Sequence, residues 1–273
     1  MIVIGHPTLS RPVSRLLARD DVELVAVTPY ARWDDAGIGA ALVAPAVAPP
    51  PGDPDWLDRW RDHDRRLRKA IDQRLAEDPD FSGPRLAAEV WTGLGGSDTL
   101  FAGSSNPVRD LDLAPITADP PTVYANRGLA GIDGSISTVA GIALATGRPT
   151  HTLLGDLTFL HDLGGLLIGP TEPRPDLRVI VANDNGGSIF ATLEYGAPSH
   201  LRAFERIFGT AQQIDLEQLA GGVGAGFRRV TDAEGIAEVL AEPPIGVEVV
   251  EAVIDRRRRR TLDRQLTDLA ANL

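Results

Sequence analysis

Two polar, glycine-containing stretches, residues 155–158 and 183–187, each follow an apolar run of the sequence. Asp156 in the first stretch and Asp184 in the second offer carboxylate oxygens, and the glycines of the second let a backbone carbonyl turn inward. Mg²⁺ prefers oxygen ligands, needs few of them from the protein, and usually shares the rest with phosphate groups. We therefore predict that Asp156, Asp184 and the Gly186 carbonyl hold Mg²⁺ beside a diphosphate.

The backbone near the first stretch could bind the phosphate oxygens. Gly155 and the helix predicted to begin near Thr158 place N–H groups at a helix start, where anions bind well. Each stretch also has a purely structural explanation, because Asn-Asp-Asn-Gly is a common turn and Gly-Asp a common helix entry. The hydroxyl of Thr158 could simply cap its helix. The presence of both stretches in one chain favours the binding site.

Composition and charge exclude several classes of function. The chain has 273 residues with 27 basic and 38 acidic side chains, so its formal net charge of −11 disfavours binding to nucleic acid or anionic lipid. It has no cysteine, which excludes disulfides, thiolate zinc sites and a cysteine nucleophile. No apolar run approaches the roughly 20 residues that span a bilayer. We predict a globular cytoplasmic protein.

The elements that must position these residues alternate along most of the chain. Short apolar runs and helical stretches follow one another, which predicts a parallel sheet covered on both faces by helices, an α/β fold. In such sheets ligands bind at the carboxyl ends of the strands, where both polar stretches are expected. The predicted strands are 99–102, 122–125, 150–154, 177–182, 227–230 and 247–254. The predicted helices are 56–75, 82–94, 135–146, 158–168, 214–222, 232–241 and one after 258.

The first 55 residues have a different organisation. They contain three short predicted strands and one helix, which bury too little apolar surface for a stable domain. A proline-rich stretch, residues 45–54, then predicts a stiff connector. We therefore predict that residues 1–55 are the C-terminal remnant of one domain plus a linker, and that residues 56–273 form the cofactor-binding domain. The predicted elements of the first part are strands 2–4, 23–27 and 41–44 and helix 9–18.

The spacing of the two stretches resembles a known cofactor signature. Gly155-Asp156, followed by Asn183-Asp184, is similar to the thiamine diphosphate-binding motif, which runs from Gly-Asp-Gly to Asn-Asn. Four blocks together resemble, more narrowly, the MenD family of menaquinone biosynthesis, the 2-succinyl-5-enolpyruvyl-6-hydroxy-3-cyclohexene-1-carboxylate synthases. The blocks are 103–110 (GSSNPVRD), 126–134 (NRGLAGIDG), 155–162 (GDLTFLHD) and 183–190 (NDNGGSIF).

This resemblance implies a fold and a reaction. The chain would correspond to the C-terminal half of the family, with the thiamine diphosphate-binding (diphosphate) domain preceded by part of an α/β middle domain. The family reaction decarboxylates 2-oxoglutarate and adds the resulting succinyl-semialdehyde carbanion to isochorismate, so the enzyme is a thiamine diphosphate-dependent transferase, or carboligase. The family's N-terminal pyrimidine domain, whose glutamate activates the cofactor, has no counterpart in the sequence. We expect the chain alone to be inactive.

The resemblance also assigns residues and partners. It implies Mg²⁺, or Mn²⁺, on Asp156, Asp184 and Gly186, although the wider family has Asn at the second position and Asn183 is an alternative ligand. It further implies a homo-oligomer, dimer or tetramer, or a separate pyrimidine-domain chain. The cofactor-contacting residues would be Gly155, Leu157, Thr158, Ile132, Ile189 and Phe190. The substrate-binding residues would be Arg109, Arg127, Ser105 and Arg11.

The sequence leaves two other functions open. The chain could instead be another thiamine diphosphate-dependent 2-oxo acid decarboxylase or carboligase, or a non-catalytic cofactor-binding remnant. His151 and His161 are predicted to be structural rather than catalytic. The basic run 256–260 is predicted to be a solvated surface or a subunit contact, because the chain as a whole is acidic.

Overall fold

The computed structural model describes residues 1–5, 7, 9–28 and 39–272. The chain divides into two compact units, Met1–Asp62 and His63–Leu273. Helix α2 (Pro54–Ala76) runs across the boundary between them. Within the described ranges, no helix combines the length and the apolar character needed to cross a membrane.

The first unit contains a small parallel sheet. Its strands are β1 (Ile2–Ile4), β2 (Leu24–Val27) and β3 (Ala40–Ala44), hydrogen-bonded in the order β1-β2-β3. Helix α1 (Arg11–Leu17) lies between β1 and β2 in the chain and begins after Ser10, whose hydroxyl accepts a hydrogen bond from a backbone N–H of the first turn. The three strands and this helix agree with the sequence-based prediction to within two residues, and little of their apolar surface is buried.

The second unit is built on a six-stranded sheet in which every pair of neighbours is parallel. The strand order is β5-β4-β6-β7-β9-β8. Its strands are β4 (Thr99–Ala102), β5 (Thr122–Tyr124), β6 (Thr150–Gly155), β7 (Leu177–Asn183), β8 (Gly226–Val230) and β9 (Val247–Val253). Its helices are α3 (Gly83–Thr92), α4 (Asn106–Leu111), α5 (Ser135–Thr146), α6 (Asp156–His161), α7 (Ile189–Thr192), α8 (Leu201–Phe204), α9 (Leu216–Gly222), α10 (Ala233–Leu240) and α11 (Arg259–Ala271).

Both faces of this sheet are covered by helices. Alternate residues along the strands point to opposite faces, so Leu154 packs with α5, α6 and α9, whereas its neighbour Leu153 packs with α3 and α10. The same alternation separates Val181 from Ile180 on the next strand. The strands are therefore continuous apolar runs, as expected for a sheet buried on both sides. The α/β prediction is confirmed.

The order of the strands reverses between β4 and β6, and a crevice forms outside their carboxyl ends. The backbone leaving β4 passes close to β6 at this point. A Cβ atom on Gly103 would lie 2.8 Å from the carbonyl oxygen of Leu153, so this close approach requires glycine. The two polar stretches that follow β6 and β7 open into the same region.

Three parts of the second unit differ from the prediction. The helix predicted over 158–168 is instead α6 followed by a 3₁₀ turn, Leu163–Leu166, because Gly165 packs closely against the backbone of α5. Residues 106–111 form helix α4, which is too short to show a periodic pattern. Residues 189–209 form short helices that the sequence pattern did not predict; aromatic contacts, including the stacked rings of Tyr195 and Phe208 with centroids 4.5 Å apart, hold them together.

Candidate active site

One cleft at the carboxyl ends of β4, β6 and β7 contains most of the predicted site residues. All the predicted cation ligands and cofactor-contacting residues line it, together with one predicted substrate residue. These residues are Ser105, Ile132, Gly155, Asp156, Leu157, Thr158, Asp184, Gly186, Ile189 and Phe190. The structure thus brings them together, while their roles stay predictions.

Asp156 is held in the cleft by the main chain. It is the first residue of α6 and is only 7% exposed. Its Oδ1 accepts a hydrogen bond of 2.9 Å from the N–H of Leu157. Burial raises the pKa of Asp156 to about 6, although the backbone N–H groups of Leu157 and Gly186 act in the opposite direction. Its geometry therefore depends on the fold rather than on neighbouring side chains.

Asp184 is the second carboxylate of the cleft and follows directly after β7. The pKa of Asp184 is raised to about 7, chiefly by burial; the neighbouring Ser188 hydroxyl acts to lower it and the charge of Asp156 acts to raise it. Asp156 is buried and Asp184 is half-buried, and two desolvated carboxylates that repel each other are costly unless a cation lies between or beside them. The pair therefore has the chemistry of a divalent-cation site.

The turn that carries Asp184 needs its glycines. Gly186 has a φ of +136°, and a Cβ on it would collide with the carbonyl oxygen of Gly209. The N–H of Gly187 donates a 2.7 Å hydrogen bond to that same oxygen. Because no side chain intervenes, the backbone of this turn lies against the segment that ends at Gly209, and both Gly186 and Gly187 line the cleft.

Asn183 is less suited than Asp184 to bind the cation, because both of its polar side-chain atoms already have partners. Its Nδ2 donates to Oε1 of Glu251 at 2.6 Å, and its Oδ1 accepts from the N–H of Asn185 at 3.0 Å. Both predicted carboxylate ligands, in contrast, line the cleft. In the described part of the chain, no three His, Cys, Asp or Glu side chains form a metal cluster, which leaves two carboxylates and backbone oxygens as the donor set.

The predicted substrate arginines, Arg109 and Arg127, are not among the residues that line the cleft. Arg109 lies on helix α4, and its Nη1 donates a 2.6 Å hydrogen bond to the carbonyl of Ser105, which does line it. Burial lowers the pKa of Arg109, and the positive charge of Arg127 lowers it further. Arg127 has no hydrogen bond or ion pair to any residue that the structure describes. Together they form a positive site suited to a carboxylate.

The remaining predicted substrate residues occupy different positions. Ser105, which precedes α4, has a φ of +76° and a ψ of −131°, a conformation that is unfavourable for a residue with a side chain. Such strain is typical of functional sites. Arg11 begins helix α1 in the first unit, and its substrate role stays a prediction.

The basic run 256–260 contributes to the cleft, which the sequence analysis missed. Arg259 Nη1 donates a 2.9 Å hydrogen bond to the buried carboxylate of Asp110, its Nη2 lies 2.7 Å from the other carboxylate oxygen in an ion pair, and both residues line the cleft. Arg256 also lines the cleft and pairs with Glu205 at 2.5 Å. The prediction of a solvated surface is wrong for these residues, because intrachain carboxylates neutralise them; only Arg257 is largely exposed. The sequence offered one indication of this, because the run follows a predicted strand, 247–254, and ligands bind at the carboxyl ends of such strands.

The two histidines do not line the cleft. His151 lies inside β6, where burial lowers its pKa to about 4 and keeps the ring neutral near pH 7. Its Nε2 is 4.0 Å from Asp98. His161, at the end of α6, is exposed. Both positions agree with a structural role.

Replacing Asp184 by Asn should stabilise the cation-free chain at high pH. The ordinary pKa of an aspartate is about 4, so raising it to about 7 means that the folded chain binds an extra proton between these values. Above pH 7 the desolvated charge destabilises the folded state, and this cost disappears as the pH falls. In EDTA, we expect Asp184→Asn to raise Tm at pH 8, to raise it less at pH 5 and to have little effect near pH 4. A Tm difference that does not change with pH would contradict the assignment.

Comparisons with known proteins agree with the motifs and the fold. The chain is 44% identical to a 2-succinyl-5-enolpyruvyl-6-hydroxy-3-cyclohexene-1-carboxylate synthase of Nocardioides sp., covering 98% of this chain and 53% of that protein. Synthases of the same name from Renibacterium salmoninarum (43% identical, 100% and 50% covered) and Kineococcus radiotolerans (46%, 95% and 47%) are similar to it. The chain thus spans about half the length of these curated relatives. No protein-family model matches it.

A solved structure supports the fold assignment. The benzoylformate decarboxylase of Polynucleobacter necessarius superposes with a TM-score of 0.50, covering 63% of this chain and 33% of that chain. At 17% sequence identity, this likeness shows the fold alone. It agrees with the parallel sheet and the two helical layers described above.

Proposed function

We propose that this chain, which resembles the C-terminal half of the MenD family, holds thiamine diphosphate and Mg²⁺ for the family's synthase reaction. That reaction joins 2-oxoglutarate, after decarboxylation, to isochorismate. The observation that carries the proposal is that the two carboxylates of Asp156 and Asp184 and all the predicted cofactor-contacting residues line one cleft at the carboxyl ends of the strands. The similarity to the curated synthases over nearly the whole chain supports the choice of reaction.

The cleft fits a diphosphate bound through a divalent cation. Asp156 and Asp184 would supply anionic oxygens to Mg²⁺, or to Mn²⁺, and the Gly186 carbonyl would supply a neutral one. The backbone N–H groups at the start of α6 would bind phosphate oxygens. Mg²⁺ neutralises part of the negative charge that the carboxylates and the diphosphate bring to the site. The desolvated carboxylates would then be ionised without the cost that raises their pKa values.

The apolar wall of the cleft suits the organic part of the cofactor. Ile132, Leu157, Ile189 and Phe190 would contact its rings and exclude water from them. When bound, thiamine diphosphate supplies the electron sink for decarboxylation and carbon–carbon bond formation. The protein's own contribution is to hold the cofactor and to orient the reactants.

Arg109 and Arg127 would bind the substrate carboxylates. Both 2-oxoglutarate and isochorismate are dianions, and the planar guanidinium group pairs with carboxylates through two hydrogen bonds. The proximity of the two positive charges lowers the pKa of Arg109, and an anion between them would remove that repulsion. Ser105, at the start of the same helix, could donate its hydroxyl to one of these carboxylates.

The second candidate is another thiamine diphosphate-dependent decarboxylase or carboligase. The fold it shares with a benzoylformate decarboxylase is compatible with that reaction class. The arginine pair argues against a small apolar substrate, because burial already acts against the charge of Arg109 and the charge of Arg127 adds to that effect, so an anionic substrate group would be favoured there. A cytoplasmic location, a homo-oligomeric assembly and the domain assignment of residues 1–55 and 56–273 also stay proposals.

An assay that compares different 2-oxo acid substrates tests the proposed reaction. Because the chain spans about half of its curated relatives, the assay joins it to the remaining half of the Nocardioides synthase and uses the unjoined chain as the control. With thiamine diphosphate and Mg²⁺, we expect isochorismate loss that requires 2-oxoglutarate, and little turnover by the chain alone. If pyruvate or benzoylformate is decarboxylated faster than 2-oxoglutarate, the second candidate is correct.

A further inference from the structure

Helix α7 carries two of the predicted cofactor-contacting residues, Ile189 and Phe190, which line the cleft. It has only four residues, and a helix of this length is not stable by itself. None of its residues is fully buried, so burial in the core contributes little to its position. The contacts that hold α7 therefore decide where this part of the apolar wall lies.

Arg260 binds the C-terminal end of α7. Its Nη1 donates two hydrogen bonds of 2.7 Å, one to the carbonyl of Ala191 and one to the carbonyl of Leu193. The last carbonyls of a helix have no donor within the helix, and a positive side chain at this end also interacts favourably with the helix dipole. Arg260 thus supplies donors that so short a helix cannot supply itself.

The same two carbonyls lie in the turn that follows α7. A Cβ on Gly196 would lie 2.2 Å from the carbonyl oxygen of Ala191, so this close approach requires glycine. The N–H of Gly196 also donates a 3.2 Å hydrogen bond to the carbonyl of Leu193. One guanidinium nitrogen therefore holds the end of the helix and the turn together.

Arg260 is in turn held by a firmly packed helix. It is the second residue of α11, which buries Leu262 and Leu266 in a cluster with the C-terminal part of α2. The residue before it, Arg259, pairs with the buried carboxylate of Asp110. The position of α7 therefore depends on α11 through the two hydrogen bonds of Arg260.

We infer that Arg260 is a positioning residue for the cofactor, which holds α7 so that Ile189 and Phe190 contact the organic part of thiamine diphosphate. This role rests on the proposed function, because it takes these two side chains as cofactor contacts. Arg260 itself is not among the residues that line the cleft. The proposed cation and diphosphate ligands lie on α6 and on the turn after β7, so the role of Arg260 concerns the organic part alone.

The binding of two ligands to the 273-residue chain in Mg²⁺ tests this role. The ligands are thiamine diphosphate and inorganic diphosphate, and calorimetric titration measures both. Arg260→Met keeps the apolar stem of the side chain and removes its donors. We expect it to weaken thiamine diphosphate binding by about 5-fold or more, the scale of one lost apolar contact, and to leave inorganic diphosphate binding unchanged. Arg260→Lys keeps one nitrogen that can donate to both carbonyls, so it should bind thiamine diphosphate more tightly than Arg260→Met.

Arg257→Ala is the matched control from the same basic run. The Arg257 side chain is 86% exposed and pairs only with Asp255 two residues before it. Its removal breaks no contact with α7, so both ligands should bind as they do to the parent.

Hydrogen exchange of the free chain tests the contact without any ligand. The backbone N–H groups of Ala191, Leu193 and Gly196 donate to carbonyls of residues 188–193. These amides should exchange faster when α7 is released from α11. We expect faster exchange over residues 189–196 in Arg260→Met and parental exchange there in Arg257→Ala.

Several outcomes would overturn the role of Arg260 while the cation site stands. They are a parental affinity for thiamine diphosphate in Arg260→Met, an equal loss of affinity for both ligands, and parental exchange over residues 189–196. A parent that binds inorganic diphosphate as tightly as thiamine diphosphate would also overturn it. If Arg260→Met does not fold, Arg260→Gln replaces it and the same results decide. If the parent binds neither ligand, the proposed function fails, and the role of Arg260 with it.

Discussion

Replacing Asp156 by Asn should weaken Mg²⁺-dependent binding of thiamine diphosphate by a factor on the order of 100 or more. The amide keeps the size of the side chain and can still accept the hydrogen bond from Leu157, so the fold is preserved. It removes one of the two proposed anionic ligands, and the diphosphate charge would then be poorly compensated. Because the buried carboxylate is costly in the free protein, the Tm of the cation-free variant at pH 8 should be equal to or higher than that of the parent.

The measurement is a calorimetric titration with thiamine diphosphate in Mg²⁺. Asp162→Asn is the matched control, because Asp162 follows the same helix but binds the backbone and hydroxyl of Ser137 outside the cleft. It should bind like the parent. If Asp156→Asn also bound the cofactor like the parent, Asp156 would not be a cation ligand.

Arg109→Ala and Arg127→Ala should lower kcat/KM for the substrates and leave cofactor binding nearly unchanged. Truncating one member of a partly desolvated charge pair typically costs about 2–5 kcal/mol, which corresponds to roughly 30-fold to several thousand-fold in kcat/KM. Arg127 should show the effect most clearly, since its loss breaks no hydrogen bond or ion pair to any residue that the structure describes.

Steady-state kinetics on each substrate, in the joined enzyme described above, measure this effect. Arg174→Ala provides a control with an exposed arginine outside the cleft, and its kinetics should match the parent. If the arginines only stabilise α4 and the segment after β5, Tm and cofactor affinity should fall together with activity. Unchanged kinetics in both variants would remove the main argument for dianionic substrates.

The sheet and its covering helices could be predicted because each strand and helix has a pattern of apolar residues within its own short stretch of sequence. Strand β4 and helix α5 have the predicted bounds, and the other strands of the second unit differ by no more than two residues at either end. Buried parallel strands are continuous apolar runs, which are visible without any tertiary information. The carboxyl ends of those runs also located Asp156 and Asp184, since polar residues after a buried strand must face the crevice.

The contacts that complete the site could not be predicted in this way. Asn106 and Ser188 are 82 residues apart, and Asp110 and Arg259 are 149 apart, so no pattern of spacing relates them. The acidic net charge of the chain led to the prediction that the run containing Arg259 is solvated. In the fold, the buried carboxylate of Asp110 pairs with Arg259 instead. Contacts between residues so far apart in the sequence depend on the order of the strands in the sheet, because that order decides which strand ends are neighbours.

A calorimetric titration of the parent 273-residue chain with thiamine diphosphate tests the central claim most directly. The claim is that the cleft at β6 and β7 binds the cofactor's diphosphate through a divalent cation. We expect saturable binding at one site per chain in Mg²⁺ and its loss when EDTA replaces the cation. Equal binding with and without the cation, or no binding in Mg²⁺, would contradict the account.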